Sequence, residues 1–137
     1  LGDIAWHHHP DYRADLAMRH VLYMPVGGLD HRERVFLGTA MATRYGGAAT
    51  LESLTALRLL DEEGREAARA IGLALRLAYT LTGGVPGLLR GSSLRLTDAK
   101  LTLVLMPDHV LLLGEAVQRR LDALGRALGR PTEIRRA

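Results

Sequence analysis

The sequence contains no cysteine, few aromatic residues and no long apolar run, and each shortage excludes a class of protein. Without cysteine there are neither disulfides nor thiolate metal sites, which is compatible with a reducing compartment. No apolar run approaches the roughly 20 residues of a transmembrane helix, so no membrane partner is expected. With one Phe, one Trp, four Tyr and a formal net charge of only +3, nucleic acid is not an expected partner either.

Nearly all of the positive charge comes from arginine, since Lys100 is the only lysine among 18 basic residues. The planar guanidinium group suits bidentate binding of phosphate or carboxylate. An arginine-rich composition can also reflect genomic base composition, and many of these arginines lie one helical turn from an acid. Both interpretations stay open.

The length and the starting residue bear on domain organisation. A chain of 137 residues with a hydrophobic share of 47% has room for one ordinary domain or two small units with a core. The first residue is Leu1 rather than methionine, within an apolar stretch of helical spacing. We therefore expect an excised C-terminal region of a longer cytoplasmic protein.

Residues 1–84 have helical periodicity. The prolines at positions 10 and 25 predict a helix between them, because proline is favoured in a first turn and interrupts later ones. Asp30 and Glu33 form a capping-box pattern that begins a second helix, and Gly46-Gly47 ends it. A shorter helical piece is predicted after a cap at Thr50.

The segment "DEEGREAARAIGLALRLAYTLTGG", residues 61–84, predicts the clearest helix of the chain. Acids occupy its first turn, where the helix dipole favours them, and Gly83-Gly84 closes it. The apolar stripe is broad, so we expect this helix to be the most buried one.

The periodicity changes after residue 84. "SLRLTDAKLTLVLM" alternates leucines on both sides of a turn at Asp98-Ala99, which predicts a β-hairpin with one buried face. "GEAVQRRLDALGRALG" returns to a helical period, with acid-first pairs from Glu115 to Arg119 and from Asp122 to Arg126. "TEIRRA" predicts a last strand. The predicted fold class is α+β, mainly helical, with a helical domain over residues 1–84 and a small α/β (ββαβ) domain over residues 85–137.

The opening segment "LGDIAWHHHPDYRADL" raises the question of a metal site, because imidazole and carboxylate groups bind zinc, iron and manganese. Successive helical residues point about 100° apart, so at most two of His7, His8 and His9 can meet one ion. A junction that packs helices or contacts an anionic ligand is favoured over a metal. His20 and His31 are isolated and are expected to be hydrogen-bonded or solvated.

The sequence contains no self-contained catalytic motif. A Walker-type loop, a G-x-S-x-G elbow and a dinucleotide fingerprint are all missing from it. "GGVPG" and "VGG" have glycines without the following helix and lysine, so they are interpreted as turns. No catalytic residue is predicted in this chain.

The helical layout resembles that of the HD superfamily, whose metal sites use a histidine, a His-Asp doublet and a distant aspartate. In "GDIAW" Gly2 stands where the doublet has its histidine, and only Asp3 remains. In "LRLAY" Tyr79 stands where the distant aspartate is found. Glycine has no donor atom and a neutral phenol is a poor ligand, so this resemblance implies degenerate HD positions and no metal.

Four segments, in the right order, resemble the C-terminal region of the Ppx/GppA family of exopolyphosphatases and guanosine pentaphosphate phosphohydrolases. The first is the "DIAWHHHPDYRADL" segment, with its degenerate doublet followed by His-x-His and Tyr. The others are "GLDHRERVFLGTAMATRY", "ALRLAYTL" and "LTLVLMPD … EAVQRRLDALGRALGRPTEI". The similarity covers nearly the whole chain.

This resemblance implies an HD-like helical domain followed by a small α/β domain. It places catalysis in a separate, N-terminal actin-like ATPase-type domain, which hydrolyses phosphoanhydride bonds with magnesium; no cofactor is expected in this chain. It implies that the C-terminal region extends a polyphosphate channel and contributes to a homodimer. The polyanion that the resemblance implies is polyphosphate or (p)ppGpp.

The positions that match the family motifs are the candidate polyanion-binding residues: His7, His9, Tyr12, Arg44, Tyr45 and Arg76. Helix packing or surface ion pairing is an equally open role for each of them. Arg44 and Arg76 are favoured for phosphate contact because a guanidinium stays charged. Gly46 stands where many relatives have histidine.

Three functions are therefore compared. The leading hypothesis is an accessory, noncatalytic domain of an exopolyphosphatase or (p)ppGpp phosphohydrolase. The second is a metal-dependent HD-type phosphohydrolase domain, which requires a stoichiometric metal. The third is a basic nucleic-acid-binding module. A binding assay in which single-stranded nucleic acid competes with polyphosphate would distinguish it from the first.

Overall fold

In this computed structural model, the structure describes residues 4–46 and 55–137. Its α-helices are α1 (Arg13–Tyr23), α2 (His31–Tyr45), α3 (Glu62–Thr82) and α4 (Glu115–Ala127), and its strands are β1 (Ser92–Leu96), β2 (Leu101–Leu105) and β3 (Thr132–Arg136). The predicted α+β, mainly helical fold class is thereby confirmed. None of the helices in these two ranges is both long enough and apolar enough to cross a bilayer.

The start and end signals predicted for the first two helices are confirmed, except that the first α-helix begins three residues later than predicted. Pro10 begins a short 3-10 turn, and α1 follows only at Arg13. At the start of α2 the Glu33 amide donates to Asp30 Oδ1 and the Asp30 amide donates to Glu33 Oε2, both at 2.8 Å. Gly46 ends α2 with φ at 93°, a left-handed conformation that glycine adopts without steric cost. The predicted cap at Thr50 lies outside the described residues.

Backbone contacts divide the chain into two units, residues 1–72 and 73–137, so the division falls inside α3. The domain boundary predicted after residue 84 was drawn from a change in sequence pattern, and it stays a prediction.

The core of the first unit forms where α1 meets α2. Met18 of α1 and Val35 of α2 are buried together in one apolar cluster. The two helices approach closely at Gly38, where an added Cβ would lie 2.5 Å from Met18 Sδ. At Gly72 an added Cβ would collide with the backbone oxygen of Ala40, so glycine is required for the approach of the first half of α3 to α2.

The prediction that α3 is the most buried helix is wrong. Ala67 is exposed, and Ile71 and Leu75 keep 46% and 41% of their surface accessible. Helix α2 has instead an unbroken buried stretch from residue 38 to residue 44. A wide apolar stripe shows which side of a helix can be covered, but the neighbouring elements decide how much of it is covered.

The second unit contains a three-stranded sheet in the order β1-β2-β3. β1 and β2 pair as the predicted antiparallel hairpin, and β3 returns parallel to β2 after α4. β2 is central and its Leu101, Leu103 and Leu105 are all buried. The predicted ββαβ order is thus present.

The hairpin was predicted to have one buried face, but within the described chain only the leucines of β2 are fully buried on that face. Leu94 and Leu96 pair with Leu103 and Leu101, which places them on the same face of the sheet as the core leucines. They nevertheless keep 42% and 57% of their surface exposed. β1 is an edge strand, and the apolar side chains at this edge are only partly covered.

Helix α4 is attached to the sheet by a contact that the helical spacing did not predict. Glu115 and Arg119 form the expected ion pair at 3.4 Å. Asp122 accepts hydrogen bonds from Gln118 Nε2 at 2.9 Å and from Thr132 Oγ1 at 2.5 Å. Arg126 acts on Asp122 only through its charge, so the carboxylate mainly joins α4 to β3.

Candidate functional site

The three consecutive histidines lie on the surface in a turn that precedes α1. Residues 6–12 are all exposed. His9 is the N-cap of the 3-10 turn, and its Nδ1 accepts a hydrogen bond from the Asp11 amide at 3.4 Å. The His9 ring lies 6.1 Å from the Tyr12 ring, and the Asp11 carboxylate lies 3.5 Å from His9 Nδ1. We call residues 6–13 the histidine turn.

Arg13 and Trp6 hold the histidine turn against the start of α1. Arg13 Nε donates to the His8 carbonyl at 2.8 Å. Its guanidinium carbon lies 5.0 Å from the centre of the Trp6 ring, within range of a cation–π contact. The turn therefore presents imidazole, phenol and guanidinium groups side by side on a fixed backbone.

Tyr45 connects the histidine turn to the end of α2. Its hydroxyl accepts a hydrogen bond from the Ala5 amide at 3.3 Å, one residue before the turn begins. The guanidinium carbon of Arg44 lies 4.7 Å from the centre of the Tyr45 ring. Arg44 is 8% exposed, so its side chain is enclosed among its neighbours. Direct contact between Arg44 and phosphate stays a prediction.

Five of the six candidate polyanion-binding residues belong to the first unit. His7, His9 and Tyr12 lie in the histidine turn, and Tyr45 and Arg44 lie next to its N-terminal end. Arg76 belongs to the second unit, in the second half of α3. It is half-buried, and burial together with the charge of Arg120 lowers its pKa below the usual range of a guanidinium.

The degenerate HD positions are only partly covered by the structure. Gly2 and Asp3 lie outside the described residues. Tyr79 is half-buried in α3, and its ring lies against Gly84, where an added Cβ would be 3.0 Å from Tyr79 Cε2. In the described ranges, no three His, Cys, Asp or Glu side chains converge in a way that would hold a metal ion.

A cleft of about 590 Å³ opens in the first unit at the start of α2, over the apolar side chains of Phe36, Leu37 and Leu60. Its charged rim is already used by the fold, since Asp30 and Glu33 cap α2. Arg32 Nη2 lies 2.7 Å from Asp61 Oδ2, and the Gly64 amide donates to the other oxygen of Asp61 at 2.8 Å. These bonds hold the pKa of Asp61 below its usual range. Among the described residues that line it, the cleft offers no unpaired positive charge for an anion.

Three residues that contact or act on the candidate residues were not predicted from the sequence. Trp6 and Arg13 shape the histidine turn, and Arg120 acts on Arg76 from α4. Trp6 precedes the three histidines directly, so its position was a usable signal. Arg120 shows no such signal, because it comes close to Arg76 only through the tertiary fold.

A comparison with protein-family models finds a match that covers nearly the whole chain. The family described as exopolyphosphatase, C-terminal, matches residues 1–134. Among curated proteins, none matches this chain significantly.

Proposed function

Because this chain belongs to the exopolyphosphatase C-terminal domain family, we propose that it is an accessory, noncatalytic domain. It assists a catalytic N-terminal domain of the same cytoplasmic protein by binding part of a long polyanion, either polyphosphate or (p)ppGpp. Magnesium and the water-activating carboxylate belong to that catalytic domain in this proposal. The described residues contribute binding groups to the reaction and no cofactor ligands.

The exposed histidine turn is the observation that carries the proposal. Its imidazole, phenol and guanidinium groups can each donate hydrogen bonds to phosphate oxygens. The turn is fixed to the fold by Arg13 and Tyr45, so little conformational entropy is lost when an anion binds. A repeating polyanion gains affinity from many such contacts, each of modest strength.

The test measures binding of long-chain polyphosphate and release of orthophosphate by the same protein. The expected result is binding that weakens as salt is raised and no release of phosphate, because the contacts are electrostatic and the domain is noncatalytic. Replacing His7 and His9 together by alanine should weaken binding about three- to tenfold, as expected for the loss of two modest hydrogen bonds.

The matched control replaces His20 and His31, which are also exposed but lie outside the histidine turn. The control should bind like the unchanged chain. Equal binding by both double variants would contradict the role of the histidine turn. Release of phosphate with a stoichiometric bound metal would favour the HD-type phosphohydrolase instead, and displacement by single-stranded nucleic acid would favour the nucleic-acid-binding module.

Dimerisation is the second part of the proposal, and the β1 edge supports it. Leu94 and Leu96 are exposed on β1, which pairs with β2 alone among the described strands. An apolar groove of about 230 Å³ adjoins this strand within the second unit, and Leu89 and Ala78 contribute to its lining. Exposed apolar side chains on an edge strand favour pairing with another chain, and Arg95 between the two leucines is the one charged residue of this strand.

Sedimentation of Leu94→Lys tests this second part. We expect the unchanged chain to dimerise and the variant to be monomeric, because a lysine at an edge strand opposes pairing. Tyr23→Lys is the control, since Tyr23 is 83% exposed on α1 and should leave the dimer intact. A dimer that survives Leu94→Lys would exclude the β1 edge as the interface.

A further inference from the structure

The cleft at the start of α2 has an apolar floor, and apolar side chains are also exposed beside it. Its volume of about 590 Å³ is within the range of pockets that hold a ligand, roughly 300–1,000 Å³. Leu59 directly precedes Leu60, a residue of the floor, and keeps 53% of its surface accessible. Val26 keeps 39%, and its carbonyl oxygen shares the Arg34 guanidinium with that of Leu29, another lining residue. Apolar surface of this kind is typical of a contact with another protein.

The rim of the cleft carries a net negative charge. Arg32 lies on the rim, but its guanidinium is paired with Asp61 at 2.7 Å. Asp30 and Glu33 are both exposed, and each uses one carboxylate oxygen in the capping box of α2. The other oxygen of each accepts no hydrogen bond from the described residues. The N-terminus of α2 offsets only about half of one charge, so more than one negative charge is left on the rim.

The other basic residues of this region do not cancel the charge of the rim. Arg34 and Arg58 are not among the described residues that line the cleft. The Arg34 guanidinium is already used by three carbonyl oxygens, and Arg65 lies 3.8 Å from its own partner Glu62. The rim is therefore acidic in a chain whose formal net charge is +3. A cationic group is complementary to this rim, and an anion is not.

We propose that the cleft binds an amphipathic, basic segment of a partner polypeptide. Apolar side chains of the segment pack on the floor, as when a short helix lays its apolar face into a groove. An arginine or lysine beside them donates to the free carboxylate oxygens of Asp30 and Glu33, and such charge-assisted hydrogen bonds are strong. The histidine turn adjoins Tyr45, at the other end of α2, so this surface goes beyond the proposed polyanion binding and does not depend on it.

The experiment measures binding of a synthetic peptide to the 137-residue chain and two variants. The peptide spans about three helical turns, with leucines at helical spacing and arginines beside them, and a matched peptide has glutamine in place of arginine. Glu33→Gln removes one charge from the rim but keeps the capping box, because glutamine also serves at that position. Glu66→Gln is the control, since Glu66 is exposed on the side of α3 opposite to the lining residue Gly64. Thermal unfolding checks that both variants fold.

The two peptides separate the effect of charge from an effect on structure. We expect Glu33→Gln to weaken binding of the arginine peptide about three- to tenfold, because a charge-assisted contact is lost, and Glu66→Gln to change it less than about twofold. The glutamine peptide should bind more weakly and should not distinguish the variants. Equal binding of the arginine peptide by both variants would overturn the proposal. An equal loss for both peptides on Glu33→Gln would overturn it too, because the charge would then not be responsible.

Amide resonances of the isotope-labelled chain locate the bound peptide. The signals of Phe36 and Gly64 should shift when the arginine peptide is added, and those of the histidine turn should not. Shifts confined to residues outside the cleft would contradict the proposal. Self-association of the chain that Glu33→Gln abolishes would identify a second copy as the occupant and would exclude a different partner polypeptide.

Discussion

The half-buried arginines of the two units have similar surroundings but different partners. In the first unit Arg34 donates to the carbonyl oxygens of Leu29, Met24 and Val26. In the second unit Arg76 and Arg120 have no such acceptors in the described residues. The number of arginines therefore says little about function, and the partner of each guanidinium separates structural arginines from candidates for ligand binding.

Arg34→Ala tests the structural side of this comparison and should have the largest effect. The guanidinium holds the segment that joins α1 to α2, with Nη2 2.7 Å from the Val26 oxygen and Nε 3.2 Å from the Leu29 oxygen. We expect a loss of about 2–3 kcal/mol in the free energy of unfolding, because several charge-assisted hydrogen bonds disappear together. Urea denaturation measures it.

Arg32→Ala is the matched control on the same helix. Its partner is Asp61, and both side chains are well exposed, so the change should cost no more than about 1 kcal/mol. A loss as large as that for Arg34→Ala would mean that the carbonyl contacts are not what distinguishes the two arginines.

Asp122→Asn tests the second unit and should have a smaller, pH-dependent effect. Hydrogen bonds from Thr132 and Gln118 hold the pKa of Asp122 below its usual range. Because the pKa is lower in the folded than in the unfolded chain, the carboxylate stabilises the fold above about pH 4, the ordinary pKa of aspartate. This contribution is lost as the pH falls through the lowered pKa.

The variant should therefore lose about 1 kcal/mol at pH 7 and progressively less than that below pH 4. Thermal unfolding across pH 2–7 measures the difference. Asp108→Asn, at an exposed position, is the control and should follow the unchanged chain. A difference for Asp122→Asn that stays constant down to the lowest pH would show that the ionised carboxylate is not responsible.

The β1 and β3 strands add a second comparison of the same kind. Both are edges of one sheet, but β3 carries Glu133, which lies 2.6 Å from Lys100 Nζ and 3.0 Å from Arg135 Nε. β1 carries Leu94 and Leu96 and a single charged residue, Arg95, whereas β3 carries three charged residues. Charged side chains oppose the addition of another strand and leucines permit it, so the β1 edge, with fewer charges, is the better position for a second copy.

Most of the secondary structure could be predicted because its signals are local. The capping box at Asp30 and Glu33, the glycine after α2 and the alternating leucines of the hairpin each act within a few residues. The burial of α3 and the partners of Asp122 could not be predicted in this way. They depend on which distant elements cover a helix, and helical spacing does not contain that information.

The residues of the candidate site also fall into those that could be predicted from the sequence and those that could not. The family resemblance singled out His7, His9 and Tyr12, and the structure places all three in one exposed turn. It gave no reason to consider Arg120, because residues 76 and 120 are far apart in the chain.

The sequence by itself determined the order of the elements, the fold class and the family resemblance. The first two follow from hydrophobic periodicity and from turn chemistry, which act over short distances along the chain, and the resemblance follows from four matching segments. Only the tertiary structure decided which charged groups have partners. Arg44 is enclosed beside Tyr45 and Arg34 binds carbonyl oxygens. Arg76 and Arg120 are each half-buried and have no ion pair with an acid in the described chain, and no pattern along the sequence shows this, because electrostatic energy depends on distances in space.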